Sequence, residues 1–186
     1  MTHPENRGVA AARWTGWHAT NPSSLYLMNH DCDDISYPSK LQRLVEYLDT
    51  NPSIDAIGCF AEYIDRSGAV TGRPPLESIP GRIRSTFGKL NSMINSATLF
   101  RRQMIERVDP YHSEFKLCED YEFWAKALLA GFSLANIPEI LHKVRLHPGS
   151  VSAVKSAEME LYARRIGRYY RMERFLNFFR STGGGA

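Results

Sequence analysis

The sequence predicts an α/β protein whose helices flank a sheet of mostly parallel strands. Two short apolar segments, SSLYLM and SIDAIGCF, have the composition of buried strands. The segment SKLQRLVEYLDTN between them predicts a helix, because its apolar residues recur at the i, i+3, i+4, i+7 spacing of one helix face: Leu41, Leu44, Val45 and Leu48. A strand, a helix and a strand in succession indicate a βαβ unit, so we expect these two strands to be parallel neighbours.

The remaining elements follow from apolar runs and from the residues that interrupt them. The alanine-rich segment ENRGVAAARWTGWHA predicts a first helix with Asn6 as its cap. EDYEFWAKALLAG predicts a helix that ends at Gly131, whereas FSLANIP and EILHKVRLH predict two short strands. A long helix is expected from Ala153 to about Arg180, followed by a flexible end at residues 181–186.

Composition and charge are those of one globular domain with a basic C-terminal region. The chain has 186 residues, of which 43% are hydrophobic and 23% are charged. It has neither an apolar run long enough to span a bilayer nor the apolar core of a signal peptide, so the expected location is cytoplasmic. The three cysteines lack CxxC spacing, which indicates reduced thiols. Residues 155–180 carry seven basic and three acidic side chains, so the formal net charge of +3 arises from this region.

The segment NHDCDDIS places Asp31, Asp33 and Asp34 directly after the first predicted strand. An EF-hand is excluded, because the sixth and twelfth positions counted from Asp31 are serine and glutamine instead of glycine and glutamate. An aspartyl-phosphate phosphatase would have threonine where this sequence has isoleucine. Two interpretations remain open: a D-x-D site for a divalent cation and a diphosphate, or a solvated loop that caps the next helix.

A second acidic motif, CEDYEFW, places Glu119 and Asp120 at the start of a predicted helix. Acidic side chains at this position stabilise a helix through capping and through the helix dipole. A carboxylate at the mouth of a helix can also serve as a general base directed into a cleft. The motif by itself favours the capping interpretation.

The order of these motifs resembles that of the inverting family-2 glycosyltransferases, which have the GT-A fold. NRGVAAAR comes first, DCDDIS follows a strand, EDYEFW begins a helix, and RLHPGSVS follows the last strand. The similarity runs from about Asn6 to about Ala153. It implies an incomplete GT-A (Rossmann-like) mixed sheet flanked by helices over residues 1–153. The long basic and aromatic helix that the residues predict follows this domain at residues 154–180.

The resemblance implies roles for residues on the donor side of such a site. Asp31 and Asp33 match the D-x-D aspartates, which bind the nucleotide diphosphate and a divalent cation, Mn²⁺ or Mg²⁺. His147 matches a histidine that approaches the cation in some relatives. Three further residues are assigned to the diphosphate side: Asp34, Arg13 and Arg145. Asp34 is expected mainly to shape the loop.

On the acceptor side, Asp120 matches the acidic residue that acts as general base, and Glu119 is its neighbour. The implied reaction is the transfer of a hexosyl group, with inversion, from a nucleotide sugar to a hydroxyl of a saccharide or lipid-linked acceptor. A cation that neutralises the leaving diphosphate and one carboxylate that accepts the proton are consistent with direct displacement. Such enzymes contribute to cell-envelope polysaccharide biosynthesis.

The sequence departs from the family pattern at its beginning. The strands that build the nucleotide-base pocket in the family precede the NRGVAAAR helix, and no segment of this sequence matches them. We therefore expect an N-terminally truncated domain whose donor binding and turnover are impaired.

The C-terminal helix suggests a rival function. Its arginine, tyrosine and phenylalanine residues could pack on the domain, lie on an anionic membrane surface or contact nucleic acid. The alternative to an enzyme is thus an inactive fragment that acts as a binding module through this helix. The acidic clusters and the lack of a known motif make nucleic acid the weaker partner. Membrane contact would place the protein at the inner face of the membrane.

Overall fold

The computed structural model describes residues 3–108 and 117–182, in which six strands form one sheet. The strands are β1 (Tyr26–Met28), β2 (Ile35–Ser36), β3 (Ala56–Ile64), β4 (Val70–Gly72), β5 (Leu99–Arg101) and β6 (Leu134–Arg145). Their order in the sheet is β1-β5-β3-β6-β2, and β4 pairs with β3 outside this path.

The sheet is mixed, as the resemblance implied, and the prediction of mostly parallel strands is wrong. Only β3 and β6 are paired in parallel within the described sheet, and the other pairs are antiparallel. β1 and β3 do run in the same direction, because each is antiparallel to β5. They are not neighbours, however, since β5 lies between them.

Seven α-helices and one 3-10 turn surround the sheet in the described residues. The helices are α1 (Gly8–Ala19), α2 (Lys40–Thr50), α3 (Pro80–Thr86), α4 (Gln103–Arg107), α5 (Glu119–Leu129), α6 (Val151–Val154) and α7 (Ser156–Thr182), and the 3-10 turn is Asn95–Ala97. The N-cap residue of α1 is Arg7, so the prediction of Asn6 as the cap is wrong by one position, although the backbone N–H of Gly8 donates to Oδ1 of Asn6 at 3.0 Å. The predicted flexible end is helical as far as Thr182, and residues 183–186 lie outside the described residues.

β6 is one long strand, so the prediction of two short strands there is wrong. Ile137 pairs with Cys59 of β3, whereas Ile140 pairs with Phe60, the next residue of β3. Two extra residues of β6, Pro138 and Glu139, are therefore accommodated as a bulge. Because proline has no N–H to donate, a bulge allows the strand to continue past it.

Both faces of the sheet are covered. α2 packs on one face, where Leu44 and Leu48 are fully buried, but Leu41 is 52% exposed, contrary to the predicted apolar face. On the other face α1, α5 and α7 contribute to an aromatic core in which Trp124 and Tyr170 are fully buried. α7 is thus packed on the domain, as predicted for its first half. No described helix combines the length and the apolar composition needed to cross a bilayer.

Candidate active site

Arg13 on α1 joins the two acidic motifs that the sequence singled out. Its guanidinium forms an ion pair with Glu119 at the start of α5 and lies 3.5 Å from Oδ1 of Asp31 in the loop after β1. Arg13 and Glu119 keep 18% and 10% of their side-chain surface exposed, whereas Asp31 keeps 49%. The D-x-D loop and the E-D motif, 88 positions apart from Asp31 to Glu119, therefore meet at one place.

Two asparagines hold the D-x-D loop against α1. Oδ1 of Asn29 accepts a hydrogen bond from Nε1 of Trp17 at 2.9 Å. The side-chain amide of Asn29 also lies 3.1 Å from that of Asn95. The side-chain amide of Asn95 in turn lies 3.1 Å from the guanidinium of Arg13. These contacts give Asn29 an anchoring function that the sequence pattern did not indicate.

The carboxylates of Glu119 and Asp120 both have raised pKa values. Burial raises the pKa of Glu119 most, the negative charge of Asp120 raises it further, and Arg13 lowers it. Burial likewise raises the pKa of Asp120, against the lowering effect of Arg13. Asp120 is partly buried, and one of its oxygens accepts the N–H of Tyr121 at 2.8 Å. An accessible carboxylate with a raised pKa can accept a proton from a hydroxyl group.

Asp33 and His147 form a pair on the exposed side of the D-x-D loop. Oδ2 of Asp33 lies 3.3 Å from Nε2 of His147, and their side chains are 40% and 24% exposed. Nδ1 of His147 is buried and makes no hydrogen bond within the described residues. Among residues 3–108 and 117–182, no three histidine, cysteine or carboxylate side chains are close enough to hold a metal ion alone. The pair nevertheless fits a cation that takes its other ligands from a diphosphate, as Mg²⁺ commonly does.

Asp34 faces the opposite way, into the protein. Its carboxylate is 4% exposed and accepts hydrogen bonds from Oγ of Ser96 (2.6 Å), Nε2 of His142 (3.0 Å) and the N–H of Arg145 (3.0 Å). Burial alone would raise the pKa of Asp34, but these hydrogen bonds hold it below its ordinary value. The carboxylate of Asp34 is thus buried, unlike the exposed carboxylates of Asp31 and Asp33.

Arg145 braces the D-x-D loop from behind. Its Nε donates to the carbonyl oxygen of Asp33 at 2.9 Å, and its Nη1 donates to the carbonyl oxygen of Asp65 at 2.7 Å. The guanidinium thus links the loop to the turn after β3. The structure brings Arg145 to the predicted loop, with these N–H groups directed at backbone oxygens.

Sequence reasoning missed three residues that support the site: Lys40, Ser96 and His142, all buried. One signal was available for Lys40, because it lies four and eight positions before Leu44 and Leu48 and therefore on the buried stripe of α2. His30, which precedes Asp31, packs edge-on against the ring of His142, with the two ring centroids 5.8 Å apart.

Comparison with known proteins gives the fold and the family. Residues 1–109 match the family model described as glycosyl transferase family 2. A glycosyltransferase of Haemophilus influenzae is 30% identical over 159 residues, which cover 78% of this chain and 48% of the relative. The chain therefore spans about half the length of this curated relative.

Two solved structures have the same kind of fold. TarS 1-349 of Staphylococcus aureus in complex with UDP superposes with a TM-score of 0.58 at 16% identity, over 88% of this chain and 45% of the TarS 1-349 chain. The mannosyltransferase PcManGT from Pyrobaculum calidifontis in complex with GDP-Man and Mn²⁺ superposes with a TM-score of 0.56 at 12% identity, over 100% of this chain and 58% of PcManGT. The GT-A-like mixed α/β fold expected from the sequence is confirmed, and the chain belongs to glycosyl transferase family 2.

Proposed function

We propose that this chain transfers a hexosyl group from a nucleotide-sugar donor to an acceptor hydroxyl, with inversion and with the aid of a divalent cation, and that donor binding and turnover by this chain alone are impaired. The observation that carries the proposal is the position of Arg13 between Asp31 and Glu119, which joins a donor-side loop to an acceptor-side helix. The UDP complex of TarS and the GDP-Man and Mn²⁺ complex of PcManGT support a nucleotide-sugar donor for this fold.

On the donor side, Asp31 and Asp33 present exposed carboxylates to a diphosphate and its cation. Asp33 and His147 would hold Mn²⁺ or Mg²⁺, with Asp31 beside them, and the donor would complete the coordination. When bound, the cation neutralises the charge that develops on the leaving diphosphate. Arg13 adds a fixed positive charge on the same side.

On the acceptor side, Asp120 would accept the proton of the attacking hydroxyl. Its raised pKa brings it closer to the working pH, which favours proton transfer. Glu119 is paired with Arg13, so Asp120 is the better placed of the two carboxylates. One base and one clamp for the leaving group are the requirements of direct displacement with inversion.

Calorimetric titration of the chain with UDP and with GDP, each with Mn²⁺, tests donor binding. We expect Asp33→Asn to lose this binding, and Asp120→Asn to keep it but to lose transfer or hydrolysis of the donor. Glu160→Gln, on the exposed side of α7, is the matched control and should change neither. NMR of the first product formed should show inverted anomeric configuration. The proposal fails if the unaltered chain binds neither nucleotide, or if Asp33→Asn binds nucleotide as tightly as the unaltered chain does.

The exposed side of α7 supports a second proposal, peripheral contact with an anionic membrane surface. Large apolar side chains there are more than half exposed: Leu161, Met172, Phe175 and Phe178. Exposed arginines, including Arg164, Arg165 and Arg168, lie among them. Apolar side chains that enter the lipid surface and arginines that pair with anionic headgroups together favour such binding.

Sedimentation with phosphatidylglycerol vesicles tests the membrane contact, with phosphatidylcholine vesicles as the control. We expect binding to the anionic vesicles only, and we expect it to weaken as salt is raised, because the arginine contribution is screened. Replacement of Arg164, Arg165 and Arg168 by glutamine should abolish it. Equal binding to both kinds of vesicle, or salt-sensitive binding to DNA instead, contradicts the proposal.

A further inference from the structure

A chain of buried polar side chains lies behind the D-x-D loop. It consists of Lys40 at the start of α2, His142 on β6, Ser96 in the 3-10 turn and Asp34 in the loop, and is called the buried polar chain below. The first three residues are 1%, 0% and 2% exposed, and the Asp34 side chain is 4% exposed. Buried polar groups of this kind are costly unless they are fully hydrogen-bonded, and here each is paired.

The contacts fix the protonation of the His142 ring. Nζ of Lys40 lies 3.1 Å from Nδ1 of His142 and donates to the carbonyl oxygen of Ser96 at 2.9 Å. Because an ammonium group can only donate, Nδ1 must accept and the ring proton must reside on Nε2. That Nε2 lies 3.0 Å from Oδ2 of Asp34, which accepts the proton in a hydrogen bond.

The charges of the buried polar chain balance. Burial lowers the pKa of Lys40, against the raising effects of Cys59 and Asp34. In its ammonium form, Lys40 lies on one side of a neutral imidazole, and a negative Asp34 lies on the other. Burial lowers the pKa of His142, and the charge of Lys40 lowers it further, against the effect of Asp34. Removal of either charged end would leave the other buried without compensation, which is strongly destabilising in proteins.

Hydrogen bonds connect Asp34 to the backbone around Asp31 and Asp33. Its Oδ1 accepts the N–H of Arg145, and Arg145 in turn donates to the carbonyl oxygen of Asp33. The N–H of Asp34 also donates to the carbonyl oxygen of Asp31 at 3.2 Å, which closes the loop on itself. The backbone on both sides of Asp33 is therefore anchored to the protein interior.

We propose that Lys40 and His142 are positioning residues for the donor site: by holding Asp34 they fix loop 31–34 so that Asp31 and Asp33 point toward the diphosphate. Both residues are buried, so they act through Asp34 and do not touch the donor. Supporting hydrogen bonds behind a metal or phosphate ligand typically have this effect. The inference rests on the nucleotide-sugar site proposed above.

The first test requires no ligand. In ¹⁵N-labelled protein at neutral pH, the ring of His142 should give the signals of a neutral imidazole with its proton on Nε2. Lys40→Met should change these signals, because Nδ1 loses its donor while the aliphatic stem is kept. A protonated ring or the Nδ1–H tautomer in the unaltered protein would overturn the proposed arrangement.

The second test measures binding of Mn²⁺ with UDP or GDP to the full chain by calorimetry. We expect His142→Ala to weaken binding by about 10- to 100-fold, the usual effect of losing a supporting residue. His142→Gln should restore most of the affinity, because its amide N–H can still donate to Asp34. Asn136→Ala is the matched control: Asn136 is also buried on β6, and its hydrogen bonds go to the carbonyl oxygens of Glu77 and Ser92. It should lower stability without changing affinity.

The outcomes separate this inference from the proposed function. If the unaltered chain binds nucleotide and His142→Ala binds equally well, the positioning role is overturned while the donor site stands. The same holds if His142→Gln is folded but no better than His142→Ala. If the unaltered chain binds neither nucleotide, the donor site and the positioning role both fall, whatever the tautomer of His142.

Discussion

Arg13 links the candidate site through its charge, because one guanidinium lies near several carboxylates. It contacts Glu119 and Asp31, and it lowers the pKa of both Glu119 and Asp120. Burial nevertheless prevails, so both carboxyl groups keep raised pKa values. This balance between burial and one nearby cation sets the pKa of Asp120, the carboxylate that we propose as the base.

Loss of the Arg13 charge should move the acid limb of the pH–rate profile to higher pH. In Arg13→Met nothing replaces the cation that opposes burial, so the pKa of Asp120 should rise further. The rate of donor turnover, measured as a function of pH, should then reach half its maximum at a higher pH than in the unaltered protein. Arg43→Met, which removes an exposed arginine paired with Glu139, is the control. An acid limb that stays in place would show that Arg13 does not tune the base.

Asp120→Asn should stabilise the fold at neutral pH while it abolishes transfer. The pKa of Asp120 is raised above its ordinary value of 3.8, so the folded state binds the proton more tightly than the unfolded chain. Stability is therefore lost as pH rises through the window between the two values, and asparagine avoids this loss. We expect a Tm higher by about 2–4 °C at pH 7, as ~1 kcal/mol produces in a chain of this size. The difference should vanish below the unfolded-state pKa; a gain that persists there has another origin.

At the scale of the elements, α7 is attached to the domain through a contact between two glycines. A Cβ on Gly167 would lie 2.4 Å from the carbonyl oxygen of Gly88, closer than any real contact of this kind. Next to this contact the hydroxyl of Tyr170 donates to the carbonyl oxygen of Arg84 at 2.9 Å. The close approach of the two backbones explains why α7 needs glycine in its middle, where glycine is otherwise unfavourable.

Gly167→Ala should therefore loosen α7 although alanine is the better helix former. The methyl group would force the helix away from Gly88 and weaken the burial of Ile166 and Tyr170. We expect a lower Tm and earlier proteolytic cleavage within α7. Gly16→Ala in α1 is the matched control: nothing lies within 4 Å of its added Cβ, so it should stabilise by about 0.5–1 kcal/mol. Equal effects at the two sites would contradict the glycine contact.

Leucines of α2 should differ sharply in their contributions to stability. Leu48 is fully buried, so Leu48→Ala should cost about 2–5 kcal/mol. Leu41 is 52% exposed, and Leu41→Ala should change stability by less than about 0.5 kcal/mol. Urea unfolding of both variants measures the difference. A large loss in the free energy of unfolding of Leu41→Ala would support the wider apolar face that the sequence predicted.

At the scale of the whole molecule, thiol reactivity should report on global unfolding. Cys32 is exposed in the D-x-D loop, whereas Cys59 and Cys118 are buried, and burial raises their pKa values to about 11 and about 12. Since the thiolate is the reactive form, one thiol should react with a colorimetric disulfide reagent in the native protein and all three after unfolding. Cys32→Ser should remove the fast phase alone; fast reaction of a second thiol would contradict the core described for the native protein.

Local patterns predicted much of the fold. The helical spacing around Leu44, the strand character of the segment before Asp31 and the glycine stop at Gly131 all lie where expected, because they depend on neighbours along the chain. The bulge at Pro138 was missed, since an apolar run interrupted by proline has the same pattern as two strands. The sheet order was missed as well, because β5 enters between β1 and β3 from a distant part of the sequence.

The sequence by itself determined the family, the motifs and their order along the chain, because these depend only on residue types and spacing. Only the tertiary structure decided which side each aspartate faces. Asp31 and Asp33 remain exposed while Asp34 turns inward to His142, and one spacing along the chain is compatible with either arrangement. The pairing of Arg13 with Glu119 and the burial of Lys40 were decided in the same way. Each requires elements far apart in sequence to meet, and burial then makes hydrogen-bond partners obligatory for the groups that they enclose.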